Sequence, residues 1–436
     1  MTLVVADWFV PSAAAAPQRD SGGRVIGGRS VDTGHATALR ARYPDDPVVQ
    51  GYDRILLPGF VNAHVHTYGV LAHGIPVAEA PEGFWSFLDD YWWPMVEDRL
   101  DHTMIAAATD WVCAEMVRSG TTTFYDILEA PNALPEALLV EKAIVEQHGL
   151  RGVLSFEATE RAGPEVAEQG LAENVDLIDA CRDSDLVSGM MCFHTAFTCS
   201  AEYIERAFEL AAAHDVLTHA HCNEGIHEGQ WCEEHLGMRT LEYYDRLGVA
   251  SPGFLASQCV QLSDREREII AERGVRVTHM PLANCEVGGG IAPVPELRAA
   301  GVTIGLGSDG YVNDFFEVMR GAFLLHKARL LDPGAMPAST VLELATEGGA
   351  RALGLPDVGR LESGWVADLQ LVDARFPTPV SEHNLHEQLV LWRNHTHVTD
   401  VMVAGAWRVR AGEVLGVDLG TLRAHAHEQA ERLWRT

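Results

Sequence analysis

Between Gly59 and about Gly310, eight apolar, strand-like runs alternate with segments of helical period, and ligand-capable side chains recur where those runs end. Strands that alternate with helices build parallel sheets, and eight such units predict an α/β chain closed as a (β/α)8 barrel. A doubly wound open sheet is the alternative. Strand-like runs near both ends of the chain predict a small additional β unit shared by the two termini.

The elements follow in chain order. Leu3-Val4-Val5 and Arg54-Ile55-Leu56-Leu57 read as strands, separated by glycine-rich turns at Gly22-Gly23 and Gly27-Gly28. The first barrel strand ends in His64-Val65-His66. The second is Gly120 to Asp126, the third Arg151 to Phe156, and the fourth Leu186 to His194. The fifth is Val216 to His221, the sixth Phe254 to Cys259, the seventh Arg276 to His279, and the eighth Val302 to Asp309. Ser200 and Ser263 stand just before helical segments, where a hydroxyl caps free N–H groups. Helical stretches near 313–330 and 339–353 follow. Then come strand-like runs at Ala367 to Val372 and Val398 to Val403, and a polar helix over 419–435.

The chain has 436 residues and a formal net charge of −30. Phosphate backbones and anionic membranes are bound by basic surfaces, so this balance excludes nucleic-acid and anionic-membrane partners. No apolar run reaches the length of a membrane span. Met1 to Pro17 lacks a basic n-region and is not read as a signal peptide. The eight cysteines are scattered without a C-x-x-C pair, which suits reduced thiols and a cytoplasmic location.

In an extended strand, residues two apart share a face, so His64 and His66 aim two imidazoles at one spot. His221 ends strand five and Asp309 ends strand eight. Three imidazoles and a carboxylate at the C-terminal rim of a barrel suit one divalent metal with an open position. A metal there lowers the pKa of a bound water to about 7. Asp309 then takes that water's proton, and Glu224, just beyond His221, is placed to exchange a proton with a substrate ring nitrogen. Each residue also has a plain structural reading, as a hydrogen-bonded strand end or a helix cap. Lys142 and Lys327 are the only lysines. Neither lies near His194, where a carboxylated lysine would bridge two metals, so one ion is expected.

These stretches, with Pro58 to His66, Gly120-Thr121-Thr122-Thr123, His194 to Ser200, His219 to Glu224, His279 to Asn284, Gly290 to Val294, Gly305 to Gly310 and Gly359 to Leu369, resemble the amidohydrolase superfamily. The likeness is to its branch of cytosine, guanine and adenosine-derivative deaminases and triazine chlorohydrolases. The resemblance implies a (β/α)8 barrel with a β-sandwich-like domain from both termini, divided as 1–57, 58–356 and 357–436. It implies one zinc, with iron as the alternative, held by His64, His66, His221 and Asp309. Glu224 is then the proton shuttle, His194 faces the substrate, and the assembly is a homo-oligomer. One position departs from the family: strand six usually carries histidine before cysteine, and here Gln258 precedes Cys259. An amide orients a carbonyl or a water but does not carry a proton at neutral pH.

Phe84-Trp85 and Tyr91-Trp92-Trp93 follow strand one, and their faces suit stacking on a planar heterocycle. His73 lies in the same segment. His279 and Asn284 follow strand seven and either contact substrate or brace the loop. Glu157, Glu160 and Arg161 follow strand three, with surface ion pairing as the preferred reading, and Asp126 is read as structural. The expected activity is hydrolytic deamination of an amino-substituted heterocycle such as a purine, pterin, pyrimidine or s-triazine. The alternatives are loss of chloride or alkylamine, opening of a cyclic amide, and a binding-only protein in which Gln258 ended catalysis.

Overall fold

The computed structural model describes residues 1–77 and 79–435. Four strands form the N-terminal part: β1 (Thr2–Phe9), β2 (Gln18–Ile26), β3 (Arg29–His35) and β4 (Val48–Pro58). The parallel strands follow as β5 (Phe60–Val65), β6 (Thr121–Leu128), β7 (Arg151–Phe156), β8 (Val187–Gly189), β9 (Met191–Cys192), β10 (Thr218–Cys222), β11 (Phe254–Gln258), β12 (Arg276–His279) and β13 (Ile304–Leu306). Every residue of β5, β6, β10 and β11 is buried, as expected where helices or a packed interior cover both faces of a parallel sheet.

These strands make two hydrogen-bonded sheets, ordered β5-β6-β7-β8 and β13-β12-β11-β10-β9. The single fourth run read from the sequence is two pieces: β8 pairs with β7, and β9 pairs with β10. Met190 stands between them; its N–H donates to Leu154 O, and the Met191 N–H donates to Leu217 O. On the other side, Ser308 N and Asp309 N both donate to His64 O at 3.0 Å, joining the strand-eight end to the strand-one end. The architecture is TIM-barrel-like, with strand ends gathered at one rim.

Local chemistry explains the helices between the strands. Ser200 accepts from Tyr203 N, and Ser263 and Glu266 form a reciprocal capping box, so both serines cap as expected. Asp101 and Asp314 cap the helices His102–Arg118 and Phe315–Leu330. The aromatic-rich segment after β5 is a series of short helical turns, Phe84–Ser86, Phe87–Trp92 and Trp93–Met95, rather than an open loop. Among the described residues, no helix is long and apolar enough to cross a membrane.

A separate eight-stranded sheet holds both termini. With β14 (Leu369–Asp373), β15 (Val398–Val403), β16 (Ala406–Arg410) and β17 (Glu413–Val414), its order is β17-β16-β15-β14-β4-β1-β2-β3. Side-chain alternation along β4 joins it to the barrel: Ile55 and Leu57 enter the main core, while Leu56 joins Val4, Phe9 and Leu371 in a second one. Gly59 marks the passage from one sheet to the other. A Cβ there would sit 2.2 Å from the Thr122 side chain, so only glycine allows the approach. At the C-terminal end, the helix Leu419–Trp434 packs back, and Trp434 Nε1 donates to Leu71 O at 2.7 Å.

Candidate metal centre and active-site cavity

His64, His66 and His221 meet at the rim although more than 150 residues of chain separate the outer two. One ring nitrogen of each lies within 4.8 Å of the others, and His64 Nε2 is 3.3 Å from His66 Nε2. Two of the rings are oriented from behind. His66 Nδ1 donates to Ile127 O at 2.7 Å, and His221 Nδ1 is 2.5 Å from Glu157 Oε1. Such partners set the tautomer and turn the other nitrogen toward a metal. Burial is the main force lowering all three imidazole pKa values, His221 to about 4 and His64 well below the ordinary value. Three neutral, converging nitrogens are the donor set a divalent metal takes, and zinc prefers imidazole. The residues fit that group.

Asp309 stands beside them, with Oδ1 3.5 Å from His66 Nε2. Its φ is +61°, a conformation aspartate tolerates better than most residues. The chain comes this close to strand one because residue 307 is glycine; a Cβ there would lie 2.7 Å from the His64 Cβ. Gln258 Nε2 donates to Asp309 Oδ2 at 2.8 Å, while Asn284 Nδ2 donates to Gln258 Oε1. This relay fixes which end of the amide faces the carboxylate. Gln258 and Cys259 both have positive φ, +69° and +51°, so the end of β11 is held in a strained conformation by its surroundings.

A cavity of about 470 Å³, within the range of small-molecule sites, opens from this cluster. His66, His221, Asp309, Gln258, Glu224 and His194 line it, with Tyr68, Tyr91, Trp92, Trp93 and Phe197 among its aromatic walls. Glu224 is partly buried. Desolvation pushes its carboxyl well above the ordinary range, and the charges of Asp309, Glu157 and Glu228 add to the shift. His194 Nδ1 is 2.9 Å from Thr198 Oγ1. His73 also lines the cavity, with Nε2 on Gly310 O at 2.9 Å.

Three residues expected at the substrate lie off the cavity wall. His279 is fully buried, and its Nε2 is 3.1 Å from His326 Nε2. Asn284 is spent on Gln258 and braces it. Trp85 stacks on His227, with ring centroids 4.3 Å apart. Arg161 is not a surface ion pair either. Its guanidinium meets Glu129 at 2.5 Å, Asp98 at 2.9 Å and Glu97 at 3.1 Å, under the Trp93 ring. Asp126 accepts from Thr67 N at 2.7 Å, a structural contact as expected. Glu157, expected in a surface ion pair, is instead the buried partner of His221. Its one signal was its position directly after β7, a site shared by many solvated acids.

Residues 55–408 match the model of the Amidohydrolase family. A 5'-deoxyadenosine deaminase of Methanothermobacter thermautotrophicus is 34% identical over 375 residues, 85% of this chain and 85% of that protein. A 5-methylthioadenosine/S-adenosylhomocysteine deaminase of Pelotomaculum thermopropionicum is 33% identical over 421 residues, 95% of this chain and 94% of its own length. Among solved structures, a zinc-bound adenosine deaminase from Xanthomonas campestris aligns with TM-score 0.91 and 30% identity, over 99% of this chain and 98% of that one. The zinc complex of atrazine chlorohydrolase TrzN from Arthrobacter aurescens, 21% identical with TM-score 0.84 over 99% of this chain and 100% of its own, shares the fold. The extent of the family match and the identity to these relatives together establish that the chain belongs to the amidohydrolase family.

Proposed function

We propose that this chain is a hydrolytic deaminase of an adenine derivative. The observation that carries the reading is the convergence of three neutral imidazoles, the Asp309 carboxylate and the raised Glu224 carboxyl on one cavity. The two sequence relatives named above, both deaminases of adenine nucleosides by name, supply the heterocycle. His64, His66, His221 and Asp309 would hold one divalent ion, with zinc the best match to the imidazoles, and that ion would activate a water for attack.

The chain's own groups carry the protons. Glu224, kept protonated by burial, gives its proton to the ring nitrogen next to the carbon that bears the amino group. The water oxygen bonds to that carbon, and Asp309 receives a proton from the water. Gln258 holds Asp309 through Oδ2, which leaves the Oδ1 side toward His66 for this exchange. Asp309 passes the water's proton to the amino group, the C–N bond breaks and ammonia leaves; the hydroxyl proton returns to Glu224 and the ring carbon keeps the oxygen as a carbonyl. His194 and the faces of Trp92 and Trp93 orient the ring. Gln258 thus acts as a positioning amide, which favours catalysis over the binding-only alternative.

A cytoplasmic location belongs to the same proposal and is supported by eight unpaired cysteines, seven of them buried. A homo-oligomeric state is the family-level expectation, checked by light scattering. The test of function is ammonia release from 5'-deoxyadenosine, 5'-methylthioadenosine and adenosine by the metal-loaded protein. Absence of ammonia with all three, at a metal content near one ion per chain, would remove the reading.

A further inference from the structure

We infer that the substrate bears no anionic group: the cavity takes a neutral or cationic amino-heterocycle and rejects one carrying a carboxylate or phosphate. This rests on the deaminase reading and narrows it.

Six carboxyl groups line the cavity, those of Glu97, Glu157, Glu224, Glu228, Glu286 and Asp309, and among the described lining residues there is no lysine or arginine. Its basic groups are imidazoles, and two of those hold the metal in the proposed site. With Asp309 assigned to the ion and Glu97 paired to Arg161, four carboxyl groups, Glu157, Glu224, Glu228 and Glu286, form no ion pair with a lysine or arginine. The nearest guanidinium, Arg161, is fully engaged by Glu97, Asp98 and Glu129 and covered by Trp93. Neither lysine reaches the wall: Lys142 pairs with Glu146, and Lys327 donates to the carbonyls of Pro333 and Ala335. The helix Ile226–Leu236 begins at the cavity, and its N-terminus is an anion site by default. Here Glu228 occupies its first turn and accepts from Asn223 N, so a carboxylate already stands there.

An anion entering this space would be desolvated without a partner, which is strongly unfavourable. The chain's net charge of −30 adds a repulsive field on approach. A cationic substituent meets the opposite situation, and a methyl or thioether tail meets the aromatic wall.

The experiment uses four adenine nucleosides that differ only at the 5' position: methyl, aminomethyl, carboxylate and phosphate forms. Both kcat/KM for ammonia release and Kd by calorimetry are measured on the metal-loaded protein. The methyl and amino forms are expected to bind and react, with the two anionic forms at least roughly 100-fold weaker. Anionic forms within tenfold of the methyl form overturn the inference, as does failure of all four to bind. If the binding order holds but no member releases ammonia, the charge rule stands and the deaminase reading falls. A second variant sharpens the result. Glu286→Arg, an exposed wall position outside the proton-transfer groups, is expected to raise the carboxylate-to-methyl affinity ratio by about tenfold or more. An unchanged ratio in a folded variant counts against the inference.

Discussion

Two groups of buried histidines in this molecule look alike at first and differ in what they can do. His64 and His66 bring Nε2 atoms to 3.3 Å, and His279 and His326 bring theirs to 3.1 Å. Burial depresses the pKa of all four rings. In the second pair, one N–H donates to the other ring's lone pair, and each ring's remaining Nδ1 has no partner. Two nitrogens and one proton then satisfy each other. At the first pair a third imidazole, His221, converges on the same point, Asp309 stands alongside, and a cavity reaches the cluster. Proximity of histidines therefore does not define a metal site. An excess of converging lone pairs, a carboxylate and access from a cavity do.

The largest expected effect separates the two groups directly. His64→Ala/His66→Ala should lose the metal, about one ion per chain by elemental analysis falling to near zero, along with turnover. His326→Gln should retain the full complement. Equal metal content in both variants would erase the distinction.

Next in size is Glu224→Gln, which keeps the ligand set and removes the proton donor. Turnover should drop by about 10²- to 10⁴-fold with metal retained. Unchanged turnover would take Glu224 out of the mechanism.

A smaller effect is expected behind the ligands. Glu157→Gln removes the charge that faces His221 Nδ1, and metal affinity measured by chelator competition should weaken by about 10- to 100-fold. Asn284→Ala frees the Gln258 amide to rotate, so kcat should fall by roughly tenfold with KM and metal content little changed. Loss of metal in Asn284→Ala would place that residue in binding rather than in orientation.

The smallest effect concerns the closed pair. Burial, aided by Arg329, lowers the His326 pKa from its ordinary value to about 4. Between the unfolded value and about 4, the unfolded chain takes up a proton that the folded chain refuses. Stability therefore falls as pH drops through that window. Urea unfolding at pH 7 and pH 5 should show His326→Gln losing less stability than the parent, by on the order of 2 kcal/mol. Parallel losses would mean that the pair does not set the acid limb.

Much of the fold was readable because its signals are local. The alternation of apolar runs with helical segments, the serine caps and the strand-end histidines need only neighbouring residues to be recognised. The break at Met190 was not readable: Leu186 to His194 is one apolar run, and only the competing partners β7 and β10 divide it. The aromatic segment gave its composition but not its facing, so Trp92 and Trp85 could not be told apart until Trp85 was seen against His227.

By itself, the sequence determined the barrel-type alternation, the terminal strands, the residues able to bind a metal, and the departure at Gln258. Those properties are carried by residue type and short spacing. Only the tertiary structure decided which polar groups find each other: His279 with His326, Asn284 with Gln258, Arg161 with Glu97, Asp98 and Glu129, and Glu157 with His221. Each of these partnerships is a contact between chain segments brought together by packing. Buried polar groups must take whatever partner the fold supplies, and that partner is set by the arrangement of elements rather than by any residue's neighbours in sequence.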